Sequence, residues 1–166
     1  ARAAAALNPS IQISHHSDRL TADNAAALFR AHDMVIDCTD NADTRYLLGD
    51  AAHHYQRPLV FGGAVRMEGQ VSVFQSSIDG HQGSPCYRCV FPSPADSRLA
   101  PGCSEAGILG PVAGIVGTMQ ALEAIKLALG LPDGLTGRLL LIDAAGSHFM
   151  DINTTARPDC SCCGSG

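Results

Sequence analysis

The chain has 166 residues, 46% of them hydrophobic, which is enough to bury one sizeable core and gives no sign of a second domain. Its formal charge of -5, with one lysine and scattered arginines, leaves no basic stripe for a nucleic acid. No uninterrupted apolar run reaches the roughly 18 residues of a membrane span, and the basic start and apolar run of a signal peptide are lacking. The expectation is a cytoplasmic protein with neither a nucleic-acid nor a membrane partner.

The alanine-rich residues 1–7 read as the last turns of a helix that ends at Asn8-Pro9, because proline disfavours helical geometry in the residue before it. Ile11 to Ser14 alternates like a short strand, and Thr21 to Ala31 has helical spacing. Met34 to Cys38 is an apolar run suited to a buried parallel strand. The polar Thr39-Asp40-Asn41 then caps a helix from Ala42 to about Tyr55. Pro58 to Phe61 reads as another buried strand, ended by Gly62-Gly63. Val65-Arg66-Met67 and Gln70 to Phe74 flank Glu68-Gly69 like the arms of a hairpin, which predicts an antiparallel edge. Residues 92–104 hold three prolines and no apolar period, so they read as a long, mobile crossover loop. Val112, Ile115, Val116, Met119, Leu122, Ile125 and Leu129 predict a long helix over 108–129 packed on a sheet. Arg138 to Asp143 and Phe149 to Asn153 read as two more strands. Strands alternating with helices predict one Rossmann-like α/β domain over 1–166, with a mainly parallel sheet that gains antiparallel strands toward its carboxy end.

Four of the seven cysteines form two Cys-x-x-Cys pairs, Cys86/Cys89 and Cys160/Cys163, separated by 70 residues. A two-residue spacer lets two thiolates face one ion, and two such pairs complete a closed tetrahedral zinc site of structural type. The odd total argues against a disulfide framework and for a reducing compartment. Cys162 is a possible substitute for Cys163, although its spacing to Cys160 is less favourable. Buried thiols or a redox pair are the plainer alternatives. The second candidate is the run Val35 to Asn41 with Arg45, where a strand delivers polar groups to the carboxy edge of the sheet. Asp40 could hold magnesium there, although by itself such a turn is more simply a helix cap. The adjacent pairs His15/His16 and His53/His54 point apart and receive no role. Lys126, the only lysine, complements the dipole at a helix end.

The runs Leu7-Asn8-Pro9, Asp37-Cys-Thr-Asp-Asn41 with Arg45, Arg66-Met-Glu-Gly-Gln70, Pro85-Cys-Tyr-Arg-Cys89, Cys103-Ser-Glu-Ala-Gly107 and Gln120 to Lys126, with Cys160/Cys163 last, together resemble the MoeB/ThiF family. The resemblance covers essentially the whole chain. It implies ATP-dependent adenylation of the carboxylate of a ubiquitin-like sulfur-carrier protein ending in Gly-Gly, in molybdopterin or thiamine synthesis, with sulfur transfer afterwards. It also implies a homodimer, Mg²⁺ or nucleotide held by Asp40, a site shaped by Asn41 and Arg45, and Cys103 as a loop thiol that links to the carrier. Family members begin with a nucleotide-binding strand and a Gly-x-Gly-x-x-Gly turn, and neither precedes Ala1. The chain therefore reads as the carboxy-terminal two-thirds of such a domain, truncated and inactive by itself. Two other readings stay open: a zinc-stabilised module that docks the carrier without chemistry, and, on fold class alone, a dinucleotide-dependent oxidoreductase.

Overall fold

The computed structural model describes residues 2–94, 106–132 and 134–164. Within them the elements are α1 (Arg2–Leu7), α2 (Ala22–Ala31), β1 (Val35–Asp37), α3 (Ala42–His54), β2 (Leu59–Val65), β3 (Glu68–Phe74), α4 (Tyr87–Val90), α5 (Gly110–Leu129), β4 (Arg138–Asp143) and β5 (His148–Asn153). The five strands form one mixed sheet in the order β1-β2-β3-β4-β5. β1 pairs parallel with β2, Asp37 opposite Phe61, and the remaining three pairings are antiparallel. The fold is a mixed α/β sheet with helices, antiparallel toward its carboxy end.

Helix ends follow their capping residues. The Thr21 amide donates to Asn24 Oδ1 at 2.9 Å ahead of α2, and Asn41 Oδ1 accepts from the Thr44 amide at 2.9 Å at the start of α3. α5 begins with Pro111 in its first turn and stops at Gly130, whose φ of 61° is left-handed. Two cores sandwich the sheet. Phe29, Leu48, Leu59, Phe61, Phe74 and Tyr87 pack beneath α2, α3 and α4. Val60, Val71, Val73, Val116, Leu135 and Ile142 pack under α5 on the opposite face.

Several local expectations give way to tertiary context. Ile11 to Ser14 forms no strand, because alternation needs a hydrogen-bonding neighbour and it pairs with none of the described strands. Among the described residues β1 pairs with β2 alone, at the edge of the sheet, and Ile36 is 44% exposed. β2 runs through Gly62-Gly63 to Val65, and the hairpin turns at Arg66-Met67 instead of Glu68-Gly69. The turn tolerates Arg66 at φ 52° because its amide donates to the Gly107 carbonyl (2.8 Å) and its carbonyl accepts from the Leu109 amide (3.0 Å). The glycines serve close packing: a Cβ on Gly69 would lie 2.6 Å from Val116 Cγ2. β3 is central rather than an edge.

α5 is long and apolar enough, by length and composition, to cross a membrane. It instead lays Val112, Val116, Gln120 and Glu123 on the sheet, while Ile115, Leu122, Ile125 and Leu129 stay exposed on its outer side. The predicted stripe had placed Ile115, Leu122, Ile125 and Leu129 with Val112 and Val116 on the face packed on the sheet.

Candidate metal centre and candidate active site

The carboxyl ends of the parallel strands build the first site. Asp37, the last residue of β1, is 1% exposed. Its Oδ1 accepts from the Thr39 amide at 2.8 Å and from Thr39 Oγ1 at 2.7 Å, closing a tight turn, while its Oδ2 is buried without a partner. Burial pushes the Asp37 carboxyl above its ordinary value, against the lowering effect of the Thr39 hydrogen bonds and the Arg45 charge. Asp40 follows the turn and is exposed, and Asn41 caps α3. Arg45, one turn into α3, donates from Nη2 to the Thr39 carbonyl at 2.7 Å and lies over the Phe61 ring, 5.6 Å from its centroid. Its Nε is buried with no partner, a second orphaned polar atom beside Asp37 Oδ2. An acidic group, an arginine and two unspent buried atoms on one sheet edge suit a cation and a phosphate-bearing ligand.

From the opposite face, Gln120 reaches the same edge. Its Nε2 donates to the Asp37 carbonyl at 2.6 Å and the Val60 carbonyl at 3.3 Å, and its Oε1 lies 3.8 Å from Cys38 Sγ. Asp37 and Gln120 were not singled out as site residues from sequence. The signal for Gln120 was an amide at the third step of the four-residue series Val112, Val116, Gln120.

The second site is the cysteine cluster. Cys86 precedes α4 as its N-cap and Cys89 lies within it, and the carboxy-terminal tail brings Cys160 and Cys163 to them. The sulfurs lie 3.8 Å (Cys86–Cys89), 3.5 Å (Cys86–Cys160) and 3.3 Å (Cys89–Cys163) apart, all four within 4.8 Å of one another. A tetrahedral ion with metal–sulfur bonds of about 2.3 Å needs sulfurs about 3.8 Å apart, so the cluster could hold a metal such as zinc. Backbone amides already point at it: Arg157 N lies 3.3 Å from Cys89 Sγ and Cys162 N 3.5 Å from Cys160 Sγ. Crowding and burial oppose ionisation of most of these thiols. The Cys86 thiol is pushed up by hydrogen bonding to Cys162 and by burial, and burial raises Cys89 and Cys163. Cys160 is held at about 7, burial being outweighed by hydrogen bonds from the amides of Cys163 and Cys162 and from its thiol neighbours. A cation among the sulfurs would reverse that balance. Cys162 borders the cluster but is outside the set of four. The knuckle is tied to α3 by Arg88, whose Nε and Nη2 grip the two carboxylate oxygens of Asp50 at 2.6 and 2.7 Å.

Cys103 and most of the expected loop at 92–104 lie outside the described residues. His15 and His16 are exposed, and His53 Nδ1 lies 2.8 Å from Ser76 Oγ with His54 turned away on the exposed side. Lys126 does more than face a helix end: its Nζ donates to the buried Glu123 at 2.7 Å, and Glu123 also receives the Leu135 amide at 2.8 Å. Both line a cavity of about 710 Å³ beside the end of β3 and the carboxy terminus of α5. That cavity contains none of the candidate residues.

Comparison with known proteins adds a family and its neighbours. The model of the ThiF family matches residues 1–163. The chain is 45% identical over 158 residues to the adenylyltransferase and sulfurtransferase MOCS3-1 of Drosophila pseudoobscura pseudoobscura, covering 95% of the chain and 34% of that protein. It is 42% identical over 160 residues to the sulfur carrier protein adenylyltransferase of Thermus thermophilus, covering 96% of the chain and 59% of the relative. It therefore spans about a third to three-fifths of the length of these relatives. The crystal structure of E. coli MccB superposes with a TM-score of 0.73 at 16% identity, covering 99% of this chain and 48% of the other, a likeness of fold.

Proposed function

The chain belongs to the ThiF family, and on that premise we propose that the protein uses ATP to adenylate the carboxy-terminal Gly-Gly carboxylate of a ubiquitin-like sulfur carrier of the molybdopterin or thiamine type. One observation carries the reading. Asp40 stands exposed at the carboxyl edge of the parallel pair, with Arg45 locked beside it by Thr39 and Phe61. The 42% identity to a protein named as a sulfur carrier protein adenylyltransferase supports it.

In the reaction, a carboxylate oxygen of the carrier attacks the α-phosphorus of ATP. An acyl oxygen–phosphorus bond forms, the bond from the α-phosphorus to the bridging oxygen breaks, and pyrophosphate leaves with the electron pair. Asp40 would hold Mg²⁺, which supplies positive charge to the phosphate oxygens. Arg45 and the Asn41 turn shape the pocket, so that catalysis comes from positioning and charge stabilisation. A sulfur nucleophile then displaces AMP, with Cys103 as the candidate carrier-linked thiol. Cys86, Cys89, Cys160 and Cys163 would bind structural zinc in a reducing, cytoplasmic setting, with no open position for catalysis. A homodimer fits the exposed apolar side of α5, where Ile125 is 54% exposed. Neither a nucleic acid nor a membrane is expected as a partner.

The test is carrier-dependent exchange of labelled pyrophosphate into ATP by the full-length protein. Asp40→Asn is expected to cut exchange by at least about a hundredfold. Residues 1–166 by themselves are expected to give none, since the described residues supply no glycine-rich strand-to-helix turn to cradle phosphate. Carrier binding without exchange in the full-length protein would overturn the enzymatic reading and leave a zinc-stabilised docking module.

A further inference from the structure

We propose that Gln120 is a positioning residue for the adenylation site, clamping the end of β1, whose following turn carries Asp40. The inference rests on the reading of the β1 carboxyl edge as the nucleotide and metal site.

Gln120 is 3% exposed, on the side of α5 that also presents Val112, Val116 and Glu123 to the sheet. A buried amide is costly unless its hydrogen bonds are met, and an aliphatic side chain of similar size would fill the space at no polar cost. The amide is spent on the end of β1 and on the strand beside it: Nε2 on the carbonyls of Asp37, the last residue of β1, and of Val60, near the start of the parallel β2, and Oε1 on the Cys38 thiol. Gly62 makes room for it, since a Cβ there would lie 2.2 Å from Gln120 Cδ. Two of these three contacts fall on the short stretch Asp37-Cys38.

That stretch leads directly to Asp40. Among the described residues the Asp40 side chain has no hydrogen-bond or ion-pair partner, so its position is set by its backbone. Three groups hold that backbone: Gln120 from α5 on Asp37, the Asp37 carboxylate on Thr39, and Arg45 from α3 on the Thr39 carbonyl. Gln120 is the one anchor from the opposite face of the sheet. Removing it frees the strand end to move relative to α5 while Asp40 itself stays intact.

The experiment compares full-length wild type, Gln120→Leu, Gln120→Glu and Ser72→Ala. Ser72 is the control, a buried hydroxyl bonded at 2.7 Å to the Arg138 carbonyl elsewhere in the same sheet. Mn²⁺ binding with a non-hydrolysable methylene analogue of ATP is followed by electron paramagnetic resonance, and backbone opening by hydrogen exchange over residues 36–45. Gln120→Leu should weaken Mn²⁺–nucleotide binding on the order of tenfold and speed exchange over that segment, with Ser72→Ala unchanged in both. Gln120→Glu should be as weak at neutral pH and recover as pH falls, because a protonated carboxyl can again donate to the Asp37 carbonyl. Binding by Gln120→Leu equal to that of Ser72→Ala would overturn the positioning role alone. A wild type that binds no Mn²⁺–nucleotide would overturn the site reading together with it.

Discussion

At the scale of single residues, neighbouring side chains of the same type have different environments. Cys162 and Cys163 are adjacent in sequence, yet Cys163 Sγ lies 3.3 Å from Cys89 Sγ within the set of four, whereas Cys162 stands outside that set. Cys163→Ser is expected to lose one equivalent of bound metal and to melt roughly 5 °C or more below wild type. Cys162→Ser should keep its metal. Metal analysis and thermal melts of the two variants decide between the ligand sets. Asp37 and Asp40 differ as sharply, since one is buried and the other exposed. Burial lifts the folded carboxyl of Asp37 above its ordinary 3.8, so its ionised form is disfavoured in the native state. Stability linked to Asp37 is therefore present at low pH and is lost as pH rises through the raised value. Denaturant midpoints should show wild type gaining on Asp37→Asn as pH is lowered from neutrality toward about 4. The opposite slope would mean that Thr39 and Arg45 outweigh burial.

At the scale of elements, glycine placement decides how closely α5 approaches the sheet. Gly62 and Gly69 lie in β2 and β3 directly under Gln120 and Val116, where an added Cβ would meet side-chain atoms at 2.2 and 2.6 Å. Gly114 lies within α5 with nothing within 4 Å of an added Cβ. Opposite effects follow from the same substitution. Gly62→Ala should destabilise by about 1–3 kcal/mol through overpacking. Gly114→Ala should stabilise by roughly 0.5–1 kcal/mol, by removing a helix-interior glycine. Urea unfolding measures both. β1 owes its place to its single parallel partner β2 and to the cap that Asn41 provides for the following helix.

At the scale of the molecule, the cysteine cluster joins the segment after the β2–β3 hairpin to the carboxy-terminal tail across 70 residues of sequence. A metal there closes a long loop, and the Arg88–Asp50 pair passes the restraint to α3. Chelation should therefore loosen the tail at 154–164 and the Cys86–Cys89 knuckle before the sheet opens. Hydrogen exchange with and without a chelator reads this order directly, and uniform loosening of sheet and tail would contradict it. The site at the β1 edge and the cluster approach α3 separately, through Asn41 and Arg45 at its start and through Asp50 near its end.

Much of this was legible in the chain itself. Helical spacing and caps located α2, α3 and α5, the apolar runs located β1, β2 and β4, and the family motifs agreed in order because local chemistry is written locally. What misled was chemistry with a second partner. Ile11 to Ser14 alternates without pairing to a described strand, Gly62-Gly63 looked like a strand end but Gly62 is packing space for Gln120, and the α5 stripe mixes residues facing the sheet with residues left exposed. By itself the sequence determined the α/β class, the spacing within each cysteine pair and the acidic turn after β1, since each depends on residues a few positions apart. Only the tertiary structure decided that the two cysteine pairs meet, that Asp37 is buried while Asp40 is exposed, and that Gln120 clamps the edge between them. The contacts behind those facts join residues 60 to 83 positions apart, and strand pairing and close packing set them, not local propensity.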